Sequence, residues 1–343
     1  MINGHGNDIH QYKNKIVADF STNVFNNPAT DQIIDFLKQQ VDDVRNYPDC
    51  NCVALRTRFA SYYQVPFEDV MVCNGSTESF YLVAHLFKNQ SSVIFTPSFS
   101  EYEDACQLYD HQIEFVSNKE SLNEVCIDNK LVWLGNPNNP DSKYYSRSFL
   151  SDFIASHPST VFVVDEAYID LCSNGETIAD LVSEYDNLIV IKSFTKLYAI
   201  PGIRLGFIVT NAQRISQLKK LHMPWAVNVL AQKAGAYILD HFSKTENQVV
   251  ELLKNSQKLQ KEISQIGGLK VNPSSCSYFL VEMDKGKASQ LKDFLINEHG
   301  LLIRDASNFR GLNEKCFRVA SLGPEKDLCL ANSLKEWHCF VTV

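Results

Sequence analysis

The chain has no apolar run near the ~18 residues that a membrane span needs, and its opening stretch, MINGHGNDIHQYKNK, carries no apolar export signal. Both absences favour a cytoplasmic protein that works away from membranes. Positive charge is also short. Against 40 Asp and Glu there are only 32 Lys and Arg, leaving a net charge of −8, which disfavours a nucleic-acid surface. Cysteine occurs ten times but never in a zinc-binding arrangement, because Cys50-x-Cys52 has no second pair beside it. No metal site is expected, and the thiols read as reduced, mostly buried small hydrophobes. No G-x-G-x-x-G follows a strand and no G-x-x-x-x-G-K-[ST] occurs, so the common dinucleotide and nucleoside-triphosphate cradles are missing.

What is present suits a soluble globular protein: 343 residues, 45% hydrophobic and 21% charged, enough for one large domain and a smaller one. Short β-branched runs at Asp69–Cys73, Ser92–Thr96, Gln112–Val116, Leu131–Gly135, Thr160–Asp165, Leu188–Ile191 and Leu205–Val209 alternate with segments of helical period. That alternation predicts an α/β fold with a mostly parallel sheet and ligands at the strand carboxyl ends. Residues 1–28 read as a polar arm, 29–230 as the large domain and 231–343 as a smaller α+β unit. One long helical stretch is expected to end at Gly267-Gly268, with Val250, Leu253, Leu259 and Ile263 facing the core.

The densest chemistry lies in NLIVIKSFTKLYAIPGIRLGFIVT, Asn187 to Thr210. Between two buried strands stand Ser193, Thr195, Lys196 and Arg204. Lys196 is either a solvated surface lysine in a loop or, since low-dielectric surroundings and a nearby arginine favour a neutral, nucleophilic amine, a candidate for a Schiff base with an aldehyde cofactor. The hydroxyls and the guanidinium suit a phosphate. A second anion cradle is expected where the strand ending at Cys73 runs into Asn74-Gly75-Ser76-Thr77-Glu78 and then a helix at Ser79–Phe87; an ordinary N-cap is the plainer account of the same residues. Asp165 closes an apolar strand, where a carboxylate needs a cation or good donors, and Tyr168 follows it. Phe99 reads either as a core aromatic or as a platform for a flat ring. Asn139, in Asn136-Pro137-Asn138-Asn139-Pro140, is either a turn residue or an amide aimed at a ligand oxygen. Arg304 and Arg318 either clamp a carboxylate or make ion pairs. His5, in GHGND, either reaches a ligand or is merely solvated.

Taken together, NYPD, NGSTE, PSFSEY, NPNNP, DEAY, SFTK, PGIRLGF, PWAVN and IRD…FRVA occur in the order seen in fold-type I pyridoxal-phosphate enzymes. The chain resembles the branch that holds histidinol-phosphate aminotransferases and L-threonine-O-3-phosphate decarboxylases. The GHGND and ADFSTN segments look most like the decarboxylases of cobalamin biosynthesis. The resemblance implies a mostly parallel seven-stranded sheet with helices on both faces, and a homodimer with active sites shared across the interface. It implies pyridoxal 5'-phosphate bound by Lys196, with Asp165 on the ring nitrogen, Tyr168 and Asn139 on the 3′-oxygen and Phe99 stacked on the ring. The phosphate would be held by Gly75, Ser76, Thr77, Ser193, Thr195 and Arg204, joined by Tyr47 of a neighbouring subunit. A small anionic amino-acid phosphate would be held by Asn23 and Arg318 at its carboxylate, with Arg304 and His5 near its phosphate or the rim. One departure stands out: Asp141-Ser142 follows NPNNP where the family often has Thr-Gly.

Overall fold

Seven short apolar runs become strands: β1 Val70–Cys73, β2 Ser91–Thr96, β3 Gln112–Ser117, β4 Leu131–Gly135, β5 Val161–Asp165, β6 Leu188–Ser193 and β7 Gly206–Val209. The computed structural model describes residues 6, 9–12, 15–24, 27–120, 122–242 and 246–342. The strands form one sheet in the order β1-β7-β6-β5-β4-β2-β3. β7 runs antiparallel to both its neighbours, and every other pair is parallel. Strands covered on both faces read as unbroken apolar runs, because side chains of either parity meet a core. Val163, Ile189 and Ile191 pack on one face with Trp133 and Tyr102. Val164, Val190 and Phe207 pack on the other with Leu55 and Phe59.

Helices cover both faces: α1 Ala29–Gln40, α2 Val53–Tyr63, α3 Gly75–Leu86, α4 Glu101–Leu108, α5 Arg147–Ser156, α6 Ala212–Lys219 and α7 Val229–His241. Three of them start on side-chain caps, with Ser146, Asn211 and Asn228 each accepting from an N–H three residues on. α8 Glu246–Ser264, α9 Ala288–Phe294 and α10 Pro324–Thr342 pack against a second sheet. Its strands are β8 Leu269–Val271, β9 Tyr278–Met283, β10 Arg304–Asp305 and β11 Cys316–Ala320, all antiparallel, in the order β10-β11-β9-β8. The α/β fold expected from the sequence is the one observed.

Packing departs from the sequence reading in three places. Ala231, Ala234 and Ile238 of α7 lie in the large core, so that core extends past residue 230. Ala18 and Phe20 are buried in the second core, where a two-residue strand, Ala18–Asp19, pairs in parallel with Leu301–Leu302. The polar arm therefore becomes structural well before residue 28. The long helical stretch is two helices, α7 and α8, each committed to a different core, and Val250 is 48% exposed while Leu253, Leu259 and Ile263 are buried.

Candidate active site

Register places the phosphate candidates together. Gly206 of β7 is paired on one side with Cys73 of β1 and on the other with Ser193 of β6. Because β7 runs backwards, Arg204 at its amino end meets the carboxyl ends of the other two strands. The loop from β1 into α3 is pressed against this point. A Cβ on Gly206 would lie 2.4 Å from the Ser76 nitrogen, and one on Gly75 would lie 2.4 Å from Nη2 of Arg204. Gly75 also has φ +81°, a conformation that L side chains rarely adopt. α3 begins at Gly75 itself rather than at Ser79, so Ser76 and Thr77 sit in its first turn with the free N–H groups of a helix start. Ser193 Oγ and Thr195 Oγ1 lie 2.8 Å apart, and the Thr195 N–H donates to Ser193 Oγ. Arg204 is held by donating from Nη1 to the Pro201 carbonyl at 3.0 Å.

A Gly75→Ala substitution forces Arg204 out of this cradle and strains the backbone by about 1–2 kcal/mol. A cofactor phosphate is expected to bind at least ~10-fold more weakly in that variant, which a fluorescence titration of the apo protein reads directly.

Strand parity explains the next group. Asp165 ends β5 on the face shared with Ile191, while Glu166 falls beside Lys192 on the opposite face. There Glu166 accepts from Lys192 Nζ at 2.8 Å and from the Ile178 N–H at 2.7 Å, with the Lys and Glu side chains 1% and 0% exposed. That pair braces the back of the sheet. On the front, Asp165 is buried, accepts from the Tyr102 hydroxyl at 2.6 Å and from the Ala167 N–H at 2.9 Å. Burial pushes its carboxyl up to about 6, against the pull of the Tyr102 hydroxyl, the Ala167 N–H and the nearby Lys196 cation.

A cavity of about 190 Å³ opens at this point. Ser76, Thr77, Thr195 and Arg204 line one end; Phe99, Asp165, Tyr168 and Lys196 line the middle; Asn23, Asn139, Arg304 and Arg318 line the other end. Nζ of Lys196 lies 5.8 Å from the centre of the Tyr168 ring. Gly75 and Ser193 do not line it and act from behind the wall. Tyr47 is elsewhere, 82% exposed and packed on Trp225. His5 lies outside the described residues.

The far end is cationic. Arg304 and Arg318 stand opposite each other across β10 and β11. Arg318 is buried, which opposes its charge. It donates to the Asn139 side-chain oxygen and to the Ser21 carbonyl, while its Nε has no partner among the described residues. Asn23 is 2% exposed, and among the described residues neither of its amide atoms has a hydrogen-bond partner. A buried amide left so is costly unless a ligand completes it. Arg304 donates from Nη2 to Asn308 at 2.8 Å and lies over the Phe309 ring. Asp141 replaces the expected turn chemistry by accepting from Asn138 and the Lys143 N–H, and Ser142 takes the left-handed conformation, φ 58°, that a glycine would.

Tyr102 is the residue that sequence reasoning missed. It lies in PSFSEY, three residues after Phe99 in a stretch that reads as a loop, and its partner Asp165 is far along the chain. The aminotransferase class I and II family profile matches residues 15–331. The chain belongs to that family. Members of this family depend on pyridoxal phosphate, and the cavity fits such a group: a phosphate cradle too tight for a Cβ at Gly75, a lysine mid-cavity, and a buried carboxylate in need of a cation. The structure is similar to that of L-threonine-O-3-phosphate decarboxylase from Porphyromonas gingivalis, with a TM-score of 0.90 and 33% identity over 94% of this chain and 99% of that one. In sequence it is 30% identical to a histidinol-phosphate aminotransferase of Thermoanaerobacter pseudethanolicus over 96% of this chain and 95% of the relative. It is 28% identical to threonine-phosphate decarboxylase of Salmonella typhimurium over 89% and 86%.

Proposed function

We propose that this enzyme binds pyridoxal 5'-phosphate and decarboxylates L-threonine O-3-phosphate to (R)-1-amino-2-propanol phosphate, a step that serves cobalamin biosynthesis. The carrying observation is the cationic end of the cavity, where two arginines on neighbouring strands converge with a buried amide that has no partner among the described residues. A substrate with a carboxylate and a phosphate supplies anions for both guanidinium groups. The likeness to the Porphyromonas gingivalis and Salmonella typhimurium proteins supports the same choice.

The cofactor, when bound, supplies an aldehyde for the substrate amine and a ring that withdraws electrons from Cα. The chain's own residues do the rest. Ser76, Thr77, Thr195 and Arg204 would hold the cofactor's phosphate, and Phe99 would pack against the ring. Asp165 would offer a carboxylate to the ring nitrogen and so favour its protonated form. Lys196 stands mid-cavity, ready to hold or return a proton at Cα. Arg318 and Asn23 set the direction of the substrate carboxylate, and orientation selects which bond at Cα breaks. Tyr47 is assigned to the phosphate of a neighbouring subunit in a homodimer; a solution mass equal to the 38.9 kDa monomer would remove that assignment.

The rival reading is transamination of histidinol phosphate by the same residues, favoured by the relative in Thermoanaerobacter pseudethanolicus. Product analysis separates them. Purified enzyme given O-phosphothreonine and no oxo acid is expected to release carbon dioxide at a steady rate. Turnover that appears only with histidinol phosphate and 2-oxoglutarate, yielding glutamate, decides for the aminotransferase.

A further inference from the structure

Beside the cavity, two segments meet that the chemistry above does not use. The turn Ile169–Leu171 leads into Cys172, and Cys276 lies just before β9; the two form an isolated antiparallel bridge. The Ser173 N–H donates to the Ser275 carbonyl at 2.9 Å, and the Ser277 N–H donates to the Leu171 carbonyl at 3.1 Å. Bonds placed on either side in this way make Cys172 and Cys276 a directly opposed, non-hydrogen-bonded pair, the closest pairing in a ladder, with Cα atoms about 4.5 Å apart. That separation falls inside the range of about 4.4–6.8 Å that a disulfide spans.

Both sulfurs are free thiols, 7% and 1% exposed as residues. The neighbouring Cys276 thiol draws Cys172 down to about 6 against the effect of burial, helped by Ser275, while Cys276 is pushed up and keeps the proton. The nucleophilic sulfur is also the reachable one. Cys172 lines a second cavity, of about 530 Å³, with Leu197 and, from α8, Leu253 and Lys254.

We infer that Cys172 and Cys276 form a dithiol modification site, which a low-molecular-weight disulfide of the glutathione class oxidises to a crosslink between the segment that follows β5 and the one that precedes β9. The Cys172 thiolate attacks one sulfur of the small disulfide, forming a mixed disulfide and expelling a thiolate. Cys276 gives its proton to a departing thiolate and attacks the Cys172 sulfur, expelling the second. Two protein thiols are oxidised, and one small disulfide is reduced to two thiols.

The bond would act on the active site through two rings. Tyr168 precedes Cys172 by one helical turn, Tyr278 follows Cys276 by two residues, and the rings meet edge to face at 5.0 Å. Tyr278 in turn donates to the Asn138 carbonyl at 2.7 Å, next to Asn139. Oxidation therefore ties the cavity wall at Tyr168 to the segment that carries Tyr278 and restrains the two halves of the fold against each other.

The test uses the full cofactor-loaded enzyme, held in oxidised glutathione or in dithiothreitol, then denatured and alkylated. Of the ten cysteines, two fewer are expected to take label after oxidation. Peptide mapping without reductant should join the peptides holding residues 172 and 276. Cys172→Ala and Cys276→Ala, two separate variants in case either folds poorly, should form no internal crosslink. Turnover with the substrate identified above is expected to fall at least ~2-fold on oxidation and to recover in dithiothreitol, with both variants insensitive. Loss of the same two labels in either variant, a crosslink that maps to other cysteines, or no loss of label after prolonged excess oxidant would each overturn the site. A mapped crosslink with unchanged turnover would overturn its effect on the active site while leaving the modification in place, and it would not bear on which substrate the enzyme uses.

Discussion

Replacing Lys196 with alanine is expected to remove turnover by at least ~10²-fold and as much as ~10⁴-fold, the range that one positioned proton-transfer group contributes. It should also abolish covalent retention of pyridoxal phosphate after borohydride reduction. Two nearby lysines point to different places. Lys192 and Lys196 are four residues apart, yet the first belongs to β6 and faces the back of the sheet, 2.8 Å from Glu166 and 3.3 Å from Thr177. Its amine is committed to that buried pair. Lys196 comes after the strand has ended, in a connection held by the bonds Tyr198 N–H to Phe194 carbonyl and Ile200 N–H to Thr195 carbonyl, and its amine reaches the cavity near Tyr168. Mass spectrometry of the reduced enzyme should find the cofactor on the peptide that contains residue 196. A label found on Lys192, or undiminished turnover in the alanine variant, would move the chemistry to another amine.

The sequence made this much legible because the site is assembled from strand ends. A polar residue that closes an apolar run is visible locally, and Asp165 and Ser193 have that form, while Gly75 and Asn139 stand in the turns just beyond such runs. Parallel topology then brings strand ends together without further instruction. What escaped was whatever depends on register or on distant pairing. Glu166 and Lys192 are adjacent in sequence to site residues but are turned away by strand parity, and no spacing rule marks them as partners. Tyr102 reaches Asp165 only because α4 packs on the sheet face that carries both. The division of the long helical stretch into α7 and α8 follows from which core each helix serves, and the exposure of Val250 follows from the same change of partner. The Ser142 conformation shows the reverse case: a non-glycine residue takes a left-handed turn, φ 58°, beside Asp141, which accepts bonds from Asn138 and Lys143.

An Asp165→Asn enzyme is expected to be a more stable apo protein and a far worse catalyst. The carboxyl of Asp165 rises from 3.8 to about 6 on folding, chiefly through burial. The sign follows from which state holds the proton. Below about pH 3 both states are protonated and the residue has no effect. As pH rises toward 6 the unfolded chain ionises first, so the native state binds more protons and stability falls; above that range the penalty is complete. At about 1.4 kcal/mol for each tenfold change in proton affinity, it reaches roughly 3 kcal/mol. Asparagine keeps the shape, accepts the Ala167 N–H through its amide oxygen, donates from its amide nitrogen to the Tyr102 hydroxyl oxygen, and carries no charge to desolvate. Urea melts of the apo protein at pH 8 should therefore favour the variant, and the decline in stability between pH 4 and 7 should be shallower in it. The same change removes the anion that faces a protonated ring nitrogen. Turnover is expected to fall on the order of 10²–10³-fold, the usual effect of losing one preorganised electrostatic partner, and added pyridoxal phosphate should raise the melting temperature less than in the parent enzyme. Equal pH slopes in the two apo proteins would mean that Asp165 meets its cation from within the chain, and the carboxylate would then lose its assignment to the cofactor ring.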